Sequence, residues 1–285
     1  MKSWLVFSMM TTVFWGVWGA VMEFPGKWGF PETLGYVVWS ISMIPCAIAA
    51  LKIIDWKLER DLKSIFLGSV VGLLGAGGQL ILFLALKEGP AYIIFPIISL
   101  SPVLTILMSV PLLKEKVKPR GVFGIALALV AIAMLSYQPP SENKASSYLW
   151  LILSILVFVA WGLQAFVMKF SNSVMKAESI FFYMMITAVA LAPVGYAMTD
   201  FSQEINWGFR GPYLSFGIQI LNSIGALFLV YALRYGKAII VVPMTSLAPI
   251  ITVLLSLAIY GIVPHIVVSL GMALATVAIF ILSLE

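Results

Sequence analysis

The residues in this chain best able to do chemistry are amides and indoles set inside otherwise apolar runs. Gln219 and Asn222 stand three apart, which puts them on one face of a helix. Gln79 lies in an earlier apolar run, while Trp15 and Trp18, and again Trp161 and Gln164, repeat the same three-residue spacing. A carboxamide both donates and accepts hydrogen bonds, so this set suits a neutral or zwitterionic polar solute. The alternative use of the same amides is to join helices by hydrogen bonds. Indoles near the middle of a span need an N–H partner or a cavity, and Trp15 and Trp161 are placed there. Glu23, at the end of the first apolar run, is the candidate carboxylate for coupling to a proton gradient; its plainer reading is a solvated helix end. No cluster of His, Cys, Asp and Glu has metal-ligand spacing, and no phosphate-binding Gly-Lys-Ser/Thr loop occurs. With one histidine and one cysteine, His265 and Cys46, enzyme chemistry finds no support, and neither a metal nor a cofactor is expected.

The elements that must position these residues follow from composition. Of 285 residues, 62% are apolar and 10% charged, where soluble domains hold roughly 45–50% and 25%. Such a chain meets lipid along most of its length. Apolar runs separated by charge or Pro/Gly clusters predict ten spans, near 4–23, 32–51, 64–86, 91–113, 119–137, 147–168, 178–198, 211–233, 238–260 and 264–284. Their length and the absence of period-2 alternation make them helices, so the fold class is all-α integral membrane. Thirteen of the 17 Lys and Arg residues fall on the side of the N-terminus and four on the other. By the positive-inside rule both termini are cytoplasmic, and a bacterial plasma membrane is the expected location. The net charge of +5 is thus a topology signal, and a nucleic-acid partner is not expected.

The chain is internally duplicated. A shift of 147 residues aligns 85–109 with 232–256 at 12 identical positions of 25, including Gly89/Gly236, Pro96/Pro243, Ser99/Ser246, Pro102/Pro249 and Thr105/Thr252. A shift of 146 pairs Trp15-Gly16 with Trp161-Gly162. Two repeats follow, 1–143 and 144–285. Five spans per repeat is an odd number, so the second lies inverted in the bilayer, an arrangement common in secondary transporters. Pro96 and Pro243 each remove a backbone donor inside a span and are candidate hinges. Ser99 and Ser246, three residues on, are placed to re-satisfy freed carbonyls. Gly72 and Gly75, the repeat partners of Gln219 and Asn222, are expected to leave room for a solute. Lys87 and Arg234 are expected at the headgroups by snorkelling.

The 5 + 5 spans, the two Trp-Gly pairs, and the P-x-x-S-L-x-P segments at 96–102 and 243–249 resemble the EamA-type branch of the drug/metabolite transporter superfamily. Glu115 fits the short acidic turn common there, although the second half has Gly261-Ile262 where the first has Lys114-Glu115. The resemblance implies a small-molecule solute moving through a central cavity lined by spans 1–4 and 6–9. The expected activity is alternating-access transport of a small polar or amphiphilic metabolite, uncharged or zwitterionic. A lipid scramblase or a structural membrane protein is the alternative.

Overall fold

The computed structural model describes residues 2–89, 91–137, 148–261 and 263–285. The expected boundary between the repeats, 143/144, lies outside the described residues. Helix α1 runs Ser3–Val21 and continues, after a break, in the single turn Phe24–Lys27. It is followed by α2, Glu32–Ile53, and α3, Leu62–Glu88, which widens to a π-turn over Leu73–Gly77. The fourth helix, α4, is broken into Ala91–Ser99 and Ser101–Leu112, and α5 is Pro119–Leu135. The second half has α6, Leu149–Ser171; α7, Ala177–Ala197; and α8, Phe209–Tyr235. Its last two helices are α9, broken into Ala238–Thr245 and Pro249–Tyr260, and α10, Ile266–Ser283.

Among the described residues nine helices are long and apolar enough to cross a membrane; α5 is the tenth and shorter. Their outward side chains explain the composition. Phe66, Leu107, Phe123, Ile152 and Phe280 are all more than half exposed, a surface that water would penalise and lipid accepts.

Local chemistry sets the helix ends. The Asp61 carboxylate accepts from the Ser64 N–H at 3.0 Å and caps α3. These Ser64 hydrogen bonds hold its carboxyl below the usual range. Pro119 opens α5 at its first position, where no N–H is needed. Lys114 and Gly261, repeat partners just beyond α4 and α9, both have positive φ, 53° and 66°. Only glycine adopts that conformation freely; Lys114 does so at a cost of about 1 kcal/mol.

The packing repeats with the sequence. Helix α1 lies against α8 and α9, and its partner α6 lies against α3 and α4. Helices α2 and α7 pack on each other and on α8 and α3 respectively, while α5 and α10 pair off at one side. Each half therefore supplies a helix that the other encloses, and the two repeats form a single body.

Helices α4 and α9 are broken at corresponding places, each after a first segment that contains the candidate hinge, Pro96 or Pro243. Leu100 interrupts α4 and residues 246–248 interrupt α9, with Pro102 and Pro249 starting the second segments. Ser99 Oγ donates to the Pro96 carbonyl at 2.9 Å, as expected. Ser246 does not play this part. The Oγ1 of Thr245, the residue before it, donates to the Val241 and Val242 carbonyls, at 3.0 and 3.1 Å.

Candidate functional site

Two mirrored joints hold the centre of the molecule. The Thr105 hydroxyl donates to the Gly162 carbonyl at 2.9 Å, and its partner Thr252 donates to the Gly16 carbonyl at the same distance. A methyl on Gly16 would stand 2.5 Å from Ile251 Cβ and 2.9 Å from the Ala248 carbonyl oxygen. One on Gly162 would stand 2.7 Å from Leu104 Cβ and 2.9 Å from the Ser101 carbonyl oxygen. Only glycine lets α1 and α6 approach the broken helices so closely. The neighbouring tryptophans seal the other side. Trp15 Nε1 donates to the Asn222 carbonyl at 3.2 Å, and Trp161 Nε1 to the Gly75 carbonyl at 3.4 Å. Their indoles lie on Gly225 and Gly78, again repeat partners. The Trp-Gly pair is thus a packing device, with the indole N–H satisfied by the helix it lies on.

The amides divide into two kinds. Gln219 Oε1 accepts from Trp18 Nε1 at 3.0 Å, which is helix joining. The carboxamides of Asn222, Gln79 and Gln164 have no hydrogen-bond partner among the described residues, although all three residues are half-buried. Lipid offers an amide neither donor nor acceptor, so these groups need water or solute. They sit on α8, α3 and α6, around the α1/α8 and α3/α6 joints. The room expected at Gly72 and Gly75 is not free. Thr187 and Met184 of α7 fill the space against Gly72, and the Gln164 amide fills that against Gly75. The π-turn at Leu73–Gly77 coincides with this contact, so α3 is locally distorted where Gln164 and Trp161 dock.

The ionisable residues gather at the two ends. Glu23 is exposed and pairs with Lys27 at 3.2 Å. Arg234, expected at the headgroups, is exposed at the end of α8, and its Nη1 donates to the Asn172 and Met175 carbonyls, at 3.0 and 2.7 Å, beyond the end of α6. Lys169 Nζ donates to the Leu233 and Gly236 carbonyls of α8, at 2.9 and 2.7 Å. Both cations sit at the negative ends of helix dipoles. Glu115 accepts from the Ala238 and Ile239 N–H groups, at 3.0 and 3.1 Å, capping α9 from the loop after α4. That cap accounts for Glu115, and also holds the strained Lys114 turn. None of these three roles was legible beforehand; the signal available was that Lys169 and Arg234 both have charged repeat partners, Glu23 and Lys87. His265 caps α10 through Nδ1.

Two clefts open at opposite ends. One, of ≈ 170 Å³, is lined by Glu59, Asn172, Lys176 and Arg234 among others. The Oδ1 of Asn172 has no hydrogen-bond partner among the described residues. The other, of ≈ 440 Å³, is lined by Trp28, Gly29 and residues 204–207, beside the Arg210 guanidinium that lies 3.9 Å over the Trp28 ring. Neither includes the unpaired amides, which belong to the helix interfaces rather than to an end cleft.

Ten apolar helices in two interlocked repeats, with polar groups held between the halves, define an integral membrane protein of the two-repeat transporter type. The profile of the EamA-like transporter family matches residues 2–137 and again 148–284, so the chain belongs to that family, a branch of the drug/metabolite transporters. The chain is 25% identical over 257 residues to Protein LicB of Haemophilus influenzae, covering 87% of this chain and 84% of that one. It is 32% identical over 100 residues, 35% of its length, to the uncharacterized protein MJ1333.1 of Methanocaldococcus jannaschii, of which it covers 72%. A solved crystal structure superposes with a TM-score of 0.80 at 18% identity, over 99% of this chain and 96% of that one. That similarity shows a shared fold.

Proposed function

We propose that this protein transports a small polar or amphiphilic metabolite, uncharged or zwitterionic, by alternating access along a path between α1, α3, α6 and α8. The observation that carries the reading is the trio of half-buried carboxamides, Asn222, Gln79 and Gln164, without hydrogen-bond partners among the described residues. Trp15, Trp18 and Trp161 supply apolar walls beside them, and Gln219 orients Trp18. Lys169 and Arg234, at the ends of the helices that carry Gln164 and Asn222, are taken up by backbone carbonyls. That argues against a phosphorylated solute, which would want an unpaired Lys or Arg. The hinges are Pro96 and Pro243 with the breaks that follow them. Proton coupling through Glu23 would act at the mouth of α1. The Lys/Arg distribution supports cytoplasmic termini and a bacterial plasma membrane.

The test is a thermal-shift screen of the purified protein against neutral, zwitterionic and phosphorylated metabolites, followed by uptake of each hit into proteoliposomes. Stabilisation by neutral or zwitterionic compounds, with saturable uptake, supports the reading. Stabilisation confined to phosphorylated compounds would sink it, and phospholipid flipping without solute uptake would favour a scramblase.

A further inference from the structure

The two ends of the molecule are not in the same state. At the end carrying the termini, α6, α8 and the turn 172–175 are bound together. Lys169 reaches the α8 carbonyls, Arg234 reaches those of Asn172 and Met175, and Asn172 Nδ2 donates to the Val230 carbonyl at 3.1 Å. The repeat shifts carry each of these positions to the far end. Lys169 maps to Glu23, Arg234 to Lys87, Asn172 to Gly26 and Met175 to Gly29. There the equivalent bonds are missing among the described residues. Glu23 turns to Lys27 one helical turn on, and Lys87 is exposed with no ion pair. Helices α6 and α8 touch, whereas their counterparts α1 and α3 make no comparable contact.

We propose that Glu23 and Lys87 form a latch that closes the far end when the end carrying the termini opens, mirroring the contacts of Lys169 and Arg234. The symmetry specifies the geometry. The cation at 234 stands over the carbonyls ending α6, beside position 169. In the exchanged state Lys87 stands over the turn ending α1, beside Glu23. The second half places two cations on two carbonyl ends; the first half places one cation and one carboxylate, so its latch is an ion pair. The pair is apart in the present structure because the halves have not exchanged roles. This inference rests on the alternating-access reading.

The test uses the full chain in nanodiscs, with Cys46→Ala removing its single thiol and Met175→Cys as reporter. Met175 is 3% exposed at the wall of the end cleft, so maleimide labels that position slowly in this state and faster when the end carrying the termini opens. Its labelling rate then follows the population of the exchanged state. Glu23→Lys and Lys87→Glu each set like charges across the far end, and each should slow labelling roughly two- to fivefold. The double variant Glu23→Lys/Lys87→Glu should restore the parental rate. Lys27→Ala, which removes the present partner of Glu23, should not slow labelling. Ala177→Cys, 1% exposed, serves as a second reporter should Met175→Cys fold poorly. Equal rates in all variants, a double variant as slow as the singles, or slowing by Lys27→Ala would each overturn the latch. Measurable labelling of the parent keeps alternating access standing even then. A parent and variants that never label at either reporter would remove both.

Discussion

Asn222→Leu separates a solute-binding amide from a structural one. The backbone carbonyl of Asn222 holds the Trp15 indole at 3.2 Å, and that bond survives any substitution at this position. The side-chain amide has no protein partner to lose, and leucine is a better helix former by a few tenths of a kcal/mol. The unfolding free energy should therefore stay within about 0.5 kcal/mol of the parent. Binding should not. Removing the amide leaves a polar group of the solute unpaired, at about 1–3 kcal/mol, or roughly five- to 150-fold in affinity. Gln219→Leu is the contrast. It strips the acceptor from Trp18 Nε1, a 3.0 Å bond, and should cost about 1–2 kcal/mol of stability through the stranded indole N–H. Both are measured on one preparation each, by thermal unfolding in detergent and by titration with the solute found in the thermal-shift screen. An Asn222→Leu protein that is destabilised by more than about 1 kcal/mol yet binds with parental affinity would refute the reasoning and return Asn222 to the helix-joining role.

Gly16→Ala and Gly162→Ala should each destabilise by about 1–3 kcal/mol because the methyl meets side chain and carbonyl within 3 Å. Gly217→Ala, whose Cβ meets nothing within 4 Å, should be neutral or stabilising by up to about 1 kcal/mol in the same melts. Pro96→Ala and Pro243→Ala should slow uptake more than they weaken solute affinity, since each stiffens a broken helix away from the amides; parental uptake rates in both would reject the hinges. Glu115→Ala should cost about 1–2 kcal/mol by uncapping α9, with affinity for the solute unchanged. Single-cysteine labelling in intact cells should find residues 55–60 and 116–118 cytoplasmic and 204–208 outside; the reverse pattern would overturn the assigned orientation.

The architecture was legible because membrane helices write themselves locally. Long apolar runs, Pro and Gly punctuation and a constant offset between repeats need no knowledge of partners. The breaks in α4 and α9 were legible for the same reason, since proline acts on its own helix. What escaped was everything that depends on a distant partner. The contact of Arg234 with the carbonyls beyond α6 could not be read from its own span, and Glu115 looks like a surface acid until α9 is seen to begin there. Trp15 and Trp161 were equally compatible with a cavity wall and with packing; the carbonyls at Asn222 and Gly75 that their N–H groups meet lie 207 and 86 residues away in sequence. The room expected at the glycines at 72 and 75 is taken by Thr187, Met184 and Gln164, neighbours that were not written locally.

The pattern of matches and mismatches between the halves carries mechanical meaning. Matched positions lie at the joints: Gly16/Gly162, Thr105/Thr252, Trp15/Trp161 and Gly78/Gly225 make the same contacts twice. A contact present in both halves at once contributes equally to a state and to its mirror image, so it cannot favour one over the other. Mismatched positions lie at the ends, Lys169 against Glu23, Asn172 against Gly26 and Gly261 against Lys114, and along α3 and α8, Gly72 against Gln219 and Gly75 against Asn222. Any energy difference between the two states must come from them, because a perfectly repeated chain would populate both equally. Two cations on carbonyls and an amide brace close the end carrying the termini, against one exposed ion pair available at the other. On the proposed alternating-access cycle, the end contacts favour the state observed, and a solute that binds the exchanged state more tightly supplies the difference.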